Sequence, residues 1–196
     1  MNATLMRFMQ AHHRRQGKDD SMERRCGEMP YGTPNIDQSA HVARNATIVG
    51  DVTIGAECTV LYGATLRGDC GGRVHIGDRT NVQELACVHV PLGEDTVIGS
   101  DVTIGHGAIL HGCRIGDGCV VGMGSIVLDG ATIGRDCLIG AGSLVTGKTD
   151  APDRSLLMGS PATVVRELTD EEAKGLRVNS EEYLRIGQEL EEEGLL

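Results

Sequence analysis

Residues 98–145 read IGSDVTIGHGAILHGCRIGDGCVVGMGSIVLDGATIGRDCLIGAGSLV. Within them aliphatic residues recur at Ile98, Ile104, Leu110, Ile115, Val121, Val127, Ile133, Ile139 and Val145, six apart except for one step of five. The beat starts further upstream, at Ile36, Val42, Ile48, Ile54, Val60 and Leu66, and continues after a ten-residue step through Ile76, Val82 and Val88; a second ten-residue step leads to Ile98. A helix repeats every ~3.6 residues and a simple strand every ~2, so a beat of six means a short strand followed by a corner. Three such units make one coil, and stacked coils at ~4.8 Å bury a continuous aliphatic column, the logic of a parallel β-solenoid. Counting the aliphatic residue as slot one, slot two is often glycine (Gly55, Gly77, Gly99, Gly105, Gly116, Gly122). Slot five is small (Ala64, Ala86, Ala108, Ser125, Ala131, and Cys58, Cys70, Cys119 and Cys137). Those four cysteines therefore read as small buried hydrophobes.

Composition agrees with thin, regular layers. Glycine makes up 28 of 196 residues, about twice the usual ~7%, while aromatics are 2% with no Trp. A net charge of −10 without aromatic platforms argues against binding a phosphate backbone or stacking bases. No apolar run approaches the ~18 residues of a membrane span and no signal-peptide core follows Met1, which predicts a soluble, cytoplasmic protein. Seven cysteines, an odd number with no C-x-x-C pair, do not support a disulfide framework or a cysteine zinc site.

Three segments follow. Residues 1–28 form a polar tail rich in Arg and His (Arg7, His12, His13, Arg14, Arg15), predicted to be dispensable. Residues 29–150 carry the repeat. Residues 151–196 close it through Gly159-Ser160-Pro161-Ala162 and then enter a helix opened by the capping box Thr169-Asp170-Glu171-Glu172. Asn179-Ser180 offers a point of restart, and Leu176, Tyr183, Leu184 and Leu190 are expected to face the solenoid.

In the middle of the repeat slot two turns polar: Arg67, Gln83, His89 and His111. Leu66 to Val88 and Val88 to Leu110 are each 22 residues, three turns of six plus a four-residue insertion. Arg67, His89 and His111 thus share one edge in three successive coils, and His89 and His111 are near enough to meet one ion. His106 sits in slot three of the preceding turn, around a corner. A trimer packed along solenoid faces would bring His106 of one subunit to His89 and His111 of the next. Three neutral imidazoles leave a fourth tetrahedral position open, as catalytic zinc sites do. Glu84, one coil below His106, is placed to receive its second ring N–H. The lone histidines His12, His13, His41 and His75 read as surface or satisfied-core residues.

Arg67-Gly68-Asp69, Asn81-x-Gln83, His89 six residues beyond Gln83, and His106-x4-His111 together resemble the gamma-class carbonic anhydrase family, particularly its short bacterial members, over roughly residues 36–183. The resemblance implies a left-handed parallel β-helix, a homotrimer, and reversible hydration of carbon dioxide to bicarbonate. It implies metal ligation by His89, His106 and His111 at subunit interfaces, with Zn2+ the default and Fe2+ or Co2+ also suited to imidazoles. Arg67 and Asp69 would pair across the interface, Gln83 and Asn81 would orient hydroxide and substrate, and Tyr183 would approach from the helix. The metal would serve as the Lewis acid that makes hydroxide available near neutral pH. Position 70 is Cys where the best-equipped members carry an acid for proton transfer, so proton export is expected to limit turnover. Two rivals share the fold: a hexapeptide-repeat acyltransferase using one histidine as base toward acyl-CoA, and a non-catalytic metal-binding trimer.

Overall fold

The structure, a computed structural model, describes residues 31–69 and 71–196. Cys26, Cys70, His12, His13 and the tail through residue 28 lie outside them, so the readings of Cys70 as a buried slot and of the tail as dispensable rest on sequence.

The chain winds as a parallel β-solenoid of about seven turns, followed by a single helix. Among the described residues there are three sheets, and each coil contributes one strand to each. Seven strands run from Asn35–Ile36 to Asp150–Ala151 in the first. The second has eight, from His41–Val42 to Ala162–Glu167, and the third has six, from Thr47–Gly50 to Leu144–Val145. Slot-one residues fill the interior: Ile54, Leu66, Ile76, Ile98, Ile104, Leu110, Ile133 and Ile139 are among the largest fully buried side chains. Cys58, Cys119 and Cys137 are buried in slot five, and Cys58, Cys87, Cys113, Cys119 and Cys137 are free thiols. Burial pushes the thiol of Cys58 up to about 11 and that of Cys113 to about 12, which leaves both inert near neutral pH.

What bends each coil is slot four, which the sequence pattern did not single out. It holds left-handed backbone, with φ of 65° at Gly107 and Gly124 and 68° at Gly142, and also at Glu57, Arg79, Leu85, Asp101, Asp136 and Arg154. A non-glycine residue there costs roughly 1–2 kcal/mol, which the buried column on either side offsets.

The repeat persists past residue 150: Leu138↔Leu156 and Ile139↔Leu157 pair in parallel. Gly159 to Ala162 then turns the chain into an antiparallel last strand, Ala162–Glu167. The helix Asp170–Glu192 follows with its capping box formed. Thr169 Oγ1 accepts from Glu172 N at 3.2 Å and Glu172 Oε2 accepts from Thr169 N at 2.9 Å. Arg166, donating to both Glu172 oxygens at 2.7 Å, holds that carboxyl down to about 2. Thr169→Ala is expected to lower stability by about 0.5–2 kcal/mol, read as an earlier thermal unfolding transition. The expected restart at Asn179-Ser180 does not occur. The helix is continuous through this point: Ser180 is buried and its hydroxyl donates back to Arg177 O at 2.9 Å instead of capping a new turn. Leu176 is buried, and Tyr183, Leu184 and Leu190 are half-buried. The helix packs on strands His41–Val42, Thr59–Val60 and Asn81–Val82 of the second sheet. Its end is fastened by His41 against Glu191, by Arg44 Nε donating to Leu196 O at 3.0 Å, and by Tyr62 Oη donating to Leu195 O at 3.3 Å. No helix among the described residues is long and apolar enough to cross a membrane.

Candidate metal centre

On the third sheet the strands Thr65–Gly68, Cys87–His89 and Ile109–His111 run past slot one before turning, by two residues in the first and by one in the other two. Pairing therefore extends to Arg67↔His89 and His89↔His111, as the 22-residue spacing requires. The His89 and His111 ring centroids are 4.9 Å apart, and His89 Nδ1 faces His111 Nε2 at 3.0 Å. Each ring's other nitrogen meets a carboxylate: His89 Nε2 lies 3.0 Å from Asp69 Oδ1, and His111 Nδ1 contacts Asp129 Oδ1. Arg67 donates to Asp69 Oδ2 at 2.6 Å within the chain.

A neutral imidazole carries one proton. If each carboxylate holds that proton, both facing nitrogens present lone pairs, and neither can donate to the other. Two lone pairs at 3.0 Å repel unless a cation lies between them, so this pair fits a metal better than it fits a hydrogen bond.

His106 stands elsewhere, on the corner after the strand Thr103–Ile104. Its Nδ1 is 2.6 Å from Glu84 Oε2, whose buried oxygen has no aligned hydrogen bond. Gln83 braces this corner from both ends of its amide: Oε1 accepts from His106 N at 3.2 Å, and Nε2 donates to Asn81 Oδ1 at 3.2 Å. Asn81 in turn donates to Thr103 Oγ1 at 2.9 Å. It is only 1% exposed, on a strand that the helix packs against, and its contact with the corner runs through Gln83. Tyr183 lies on the helix Asp170–Glu192. Its carbonyl accepts from Thr59 Oγ1 at 2.9 Å, and burial and then the charge of Glu84 push its phenol up. Two clusters result, Arg67–Asp69–His89–His111–Asp129 and Asn81–Gln83–Glu84–His106. Among the described residues of one chain no three His, Cys, Asp or Glu side chains converge as a metal site. Asp129 and Thr103 were missed in the sequence. Asp129 was within reach of it, being 18 residues beyond His111 and so one residue past the 17-residue coil that pairs Leu110 with Val127.

Desolvation, foremost, lowers the His89 pKa below its ordinary value, with Arg67 and His111 adding to the effect and Asp69 opposing it. The unfolded chain then binds that proton more readily. This residue's contribution to stability is therefore full above about pH 6.5 and is lost as pH falls through the lowered value. Metal-free protein is expected to melt progressively earlier on acidification through that range, and His89→Asn should flatten the slope. An unchanged slope would place the effect on another group.

A family profile for the bacterial transferase hexapeptide, six repeats, matches residues 95–127 and 112–147. A Methanocaldococcus jannaschii protein named "Probable carbonic anhydrase" is 46% identical over 156 residues, 80% of this chain and 98% of that one. Gamma carbonic anhydrase 2, mitochondrial, of Arabidopsis thaliana is 37% identical over 162 residues, 80% of this chain and 58% of the longer plant protein. Among solved structures, a hexapeptide transferase family protein from Anaplasma phagocytophilum superposes with a TM-score of 0.76 at 41% identity, covering 80% of this chain and 92% of that one. Coil, corner and slot pattern thus define a hexapeptide-repeat protein. Within that class the chain belongs to the gamma-class carbonic anhydrase family.

Proposed function

We propose that the protein hydrates carbon dioxide reversibly to bicarbonate at a metal site shared between neighbouring copies of a homotrimer. The observation that carries this reading is that His89 Nδ1 and His111 Nε2 face each other at 3.0 Å while their other nitrogens meet carboxylates. These two residues of one copy and His106 of the next would hold Zn2+, with Fe2+ or Co2+ as the other ions such a donor set accepts. When bound, such an ion supplies Lewis acidity, the property that makes hydroxide accessible from water near neutral pH. Gln83 retains one amide N–H after donating to Asn81, and that N–H orients the oxygen that attacks carbon dioxide. Asn81 and Thr103 keep the amide from rotating. Arg67, half-exposed beside the site, keeps Asp69 aimed at His89.

The trimer is supported by apolar side chains that a lone solenoid leaves in water. Leu85 is 73% exposed and Met123 58%, next to Glu84 and one coil above His106, with Ile109 exposed on the third sheet and Leu128 exposed just past the strand Ile126–Val127. A second copy seated there would cover them and bring its own histidines to the corner.

The test is carbon dioxide hydration by metal-loaded protein, before and after treatment with a strong chelator. Hydration that rises with pH and disappears on chelation is the expected result, with added imidazole buffer raising kcat more than kcat/KM because Cys70 supplies no carboxylate. A metal-loaded trimer inactive at every buffer concentration, yet able to transfer acetyl from acetyl-CoA, would favour the transferase activity that its structural neighbours' names suggest. A loaded trimer inactive in both assays would leave metal binding without catalysis.

A further inference from the structure

We infer that Asp129 is a positioning residue for the metal site, holding His111 in the one tautomer that leaves Nε2 free for the ion. This rests on the metal-site reading above and adds a residue to it. Asp129 follows the strand Ile126–Val127, one coil above His111, and its Oδ1 contacts His111 Nδ1 across the gap between coils. The reach is fixed by backbone on both sides. Leu128 N donates to Val145 O at 2.9 Å, and Gly130 N donates to Gly112 O at 2.7 Å, which ties the residue after Asp129 to the residue after His111. Gly112 leaves room for the carboxylate: a Cβ there would stand 2.9 Å from Asp129 Oδ1.

Among the described residues no Lys or Arg pairs with Asp129, and its ion-pair partner is His111. Asp69 differs, because Arg67 shares it with His89. The charge of Asp129 is therefore directed at one imidazole. A carboxylate accepting the distal N–H of a ligand histidine fixes ring orientation and raises ligand basicity. The design repeats around the site: Asp69 with His89, Asp129 with His111, and Glu84 with His106, each pair drawn from adjacent positions of the stack.

The experiment compares the full-length wild type, Asp129→Ala and Asp129→Asn by competition for Zn2+ against a chromophoric chelator and by visible spectra of the Co2+-loaded proteins. Asp129→Ala should bind Zn2+ about 10–100-fold more weakly and shift the Co2+ bands. Asp129→Asn keeps an acceptor for the Nδ1 proton without the charge, so it should recover part of the affinity. Metal-free melting of both variants should stay near that of the wild type, as befits an exposed side chain. Wild-type affinity and spectrum in Asp129→Ala would overturn the inference, and so would a loss of affinity matched by an equal loss of metal-free stability. A wild type that binds neither ion would instead remove the metal-site reading on which this rests.

Discussion

Chains carrying His106→Ala and chains carrying His89→Ala, each unable to hold metal alone, are expected to regain sites when dissociated together and reassembled. The expectation follows from the split geometry. His89 and His111 share one edge of the third sheet, whereas His106 turns off the second sheet toward Glu84, and no third donor joins the pair within one chain. If each interface takes His106 from one copy and the other two from the next, any mixed ring contains one interface at which both contributions are wild type. Purified mixed trimers should then carry about one site in three, measured as bound metal per chain, and the whole random reassembly of equal amounts about one in four. The double variant His89→Ala/His106→Ala, mixed with either single variant, should restore none. Full metal in a monomeric wild type, or no recovery in verified mixed trimers, would show that the ligands do not meet between copies.

The parts of this arrangement that were legible in the sequence are those that the repeat makes arithmetical. Ile98, Ile104 and Leu110 announce the coil because only a side chain pointing inward at every sixth residue can build a continuous buried column. The 22-residue spacings put Arg67, His89 and His111 in register because each insertion leaves the coil count unchanged. What was not legible depends on neighbours outside the beat. Leu85 and Arg79 adopt left-handed backbone that their residue types disfavour, since the column overrides local preference. Asn81 looks like a site residue that touches substrate, but the helix packs against its strand. Nothing in the period says which sheet that helix covers. Ser180 carries the signature of a cap, yet burial beside Arg177 O makes it part of the helix. Asp129 follows the beat, but a lone aspartate at a corner has no significance until the histidine one coil below is known to need a partner.

The glycine in Arg67-Gly68-Asp69 shows how the fold constrains the site, and Gly68→Ala is expected to disable both. Gly68 pairs with Gly50 in the coil below, and Asp51 N donates to Gly68 O at 2.7 Å. A Cβ on Gly68 would lie 2.1 Å from Asp51 O, a backbone atom fixed by the hydrogen bond from Val74 N at 3.0 Å. Neither side can yield by rotating a side chain, so the strand itself must move. Overpacking of this kind costs about 1–3 kcal/mol. The displacement falls one residue before Asp69, whose carboxylate must remain within reach of both His89 Nε2 and Arg67. A shift of ~1 Å at such a point is worth on the order of 100-fold in function. Gly142→Ala supplies the comparison. Its φ of 68° disfavours alanine through the backbone alone, since nothing lies within 4 Å of the added Cβ, and it is far from the histidines in sequence. That variant should lose about 1–2 kcal/mol in denaturant melts while keeping wild-type Zn2+ affinity. Gly68→Ala should lose stability of similar size together with most of its metal affinity. Equal Zn2+ affinity in the two variants would mean that Asp69 does not set the position of His89.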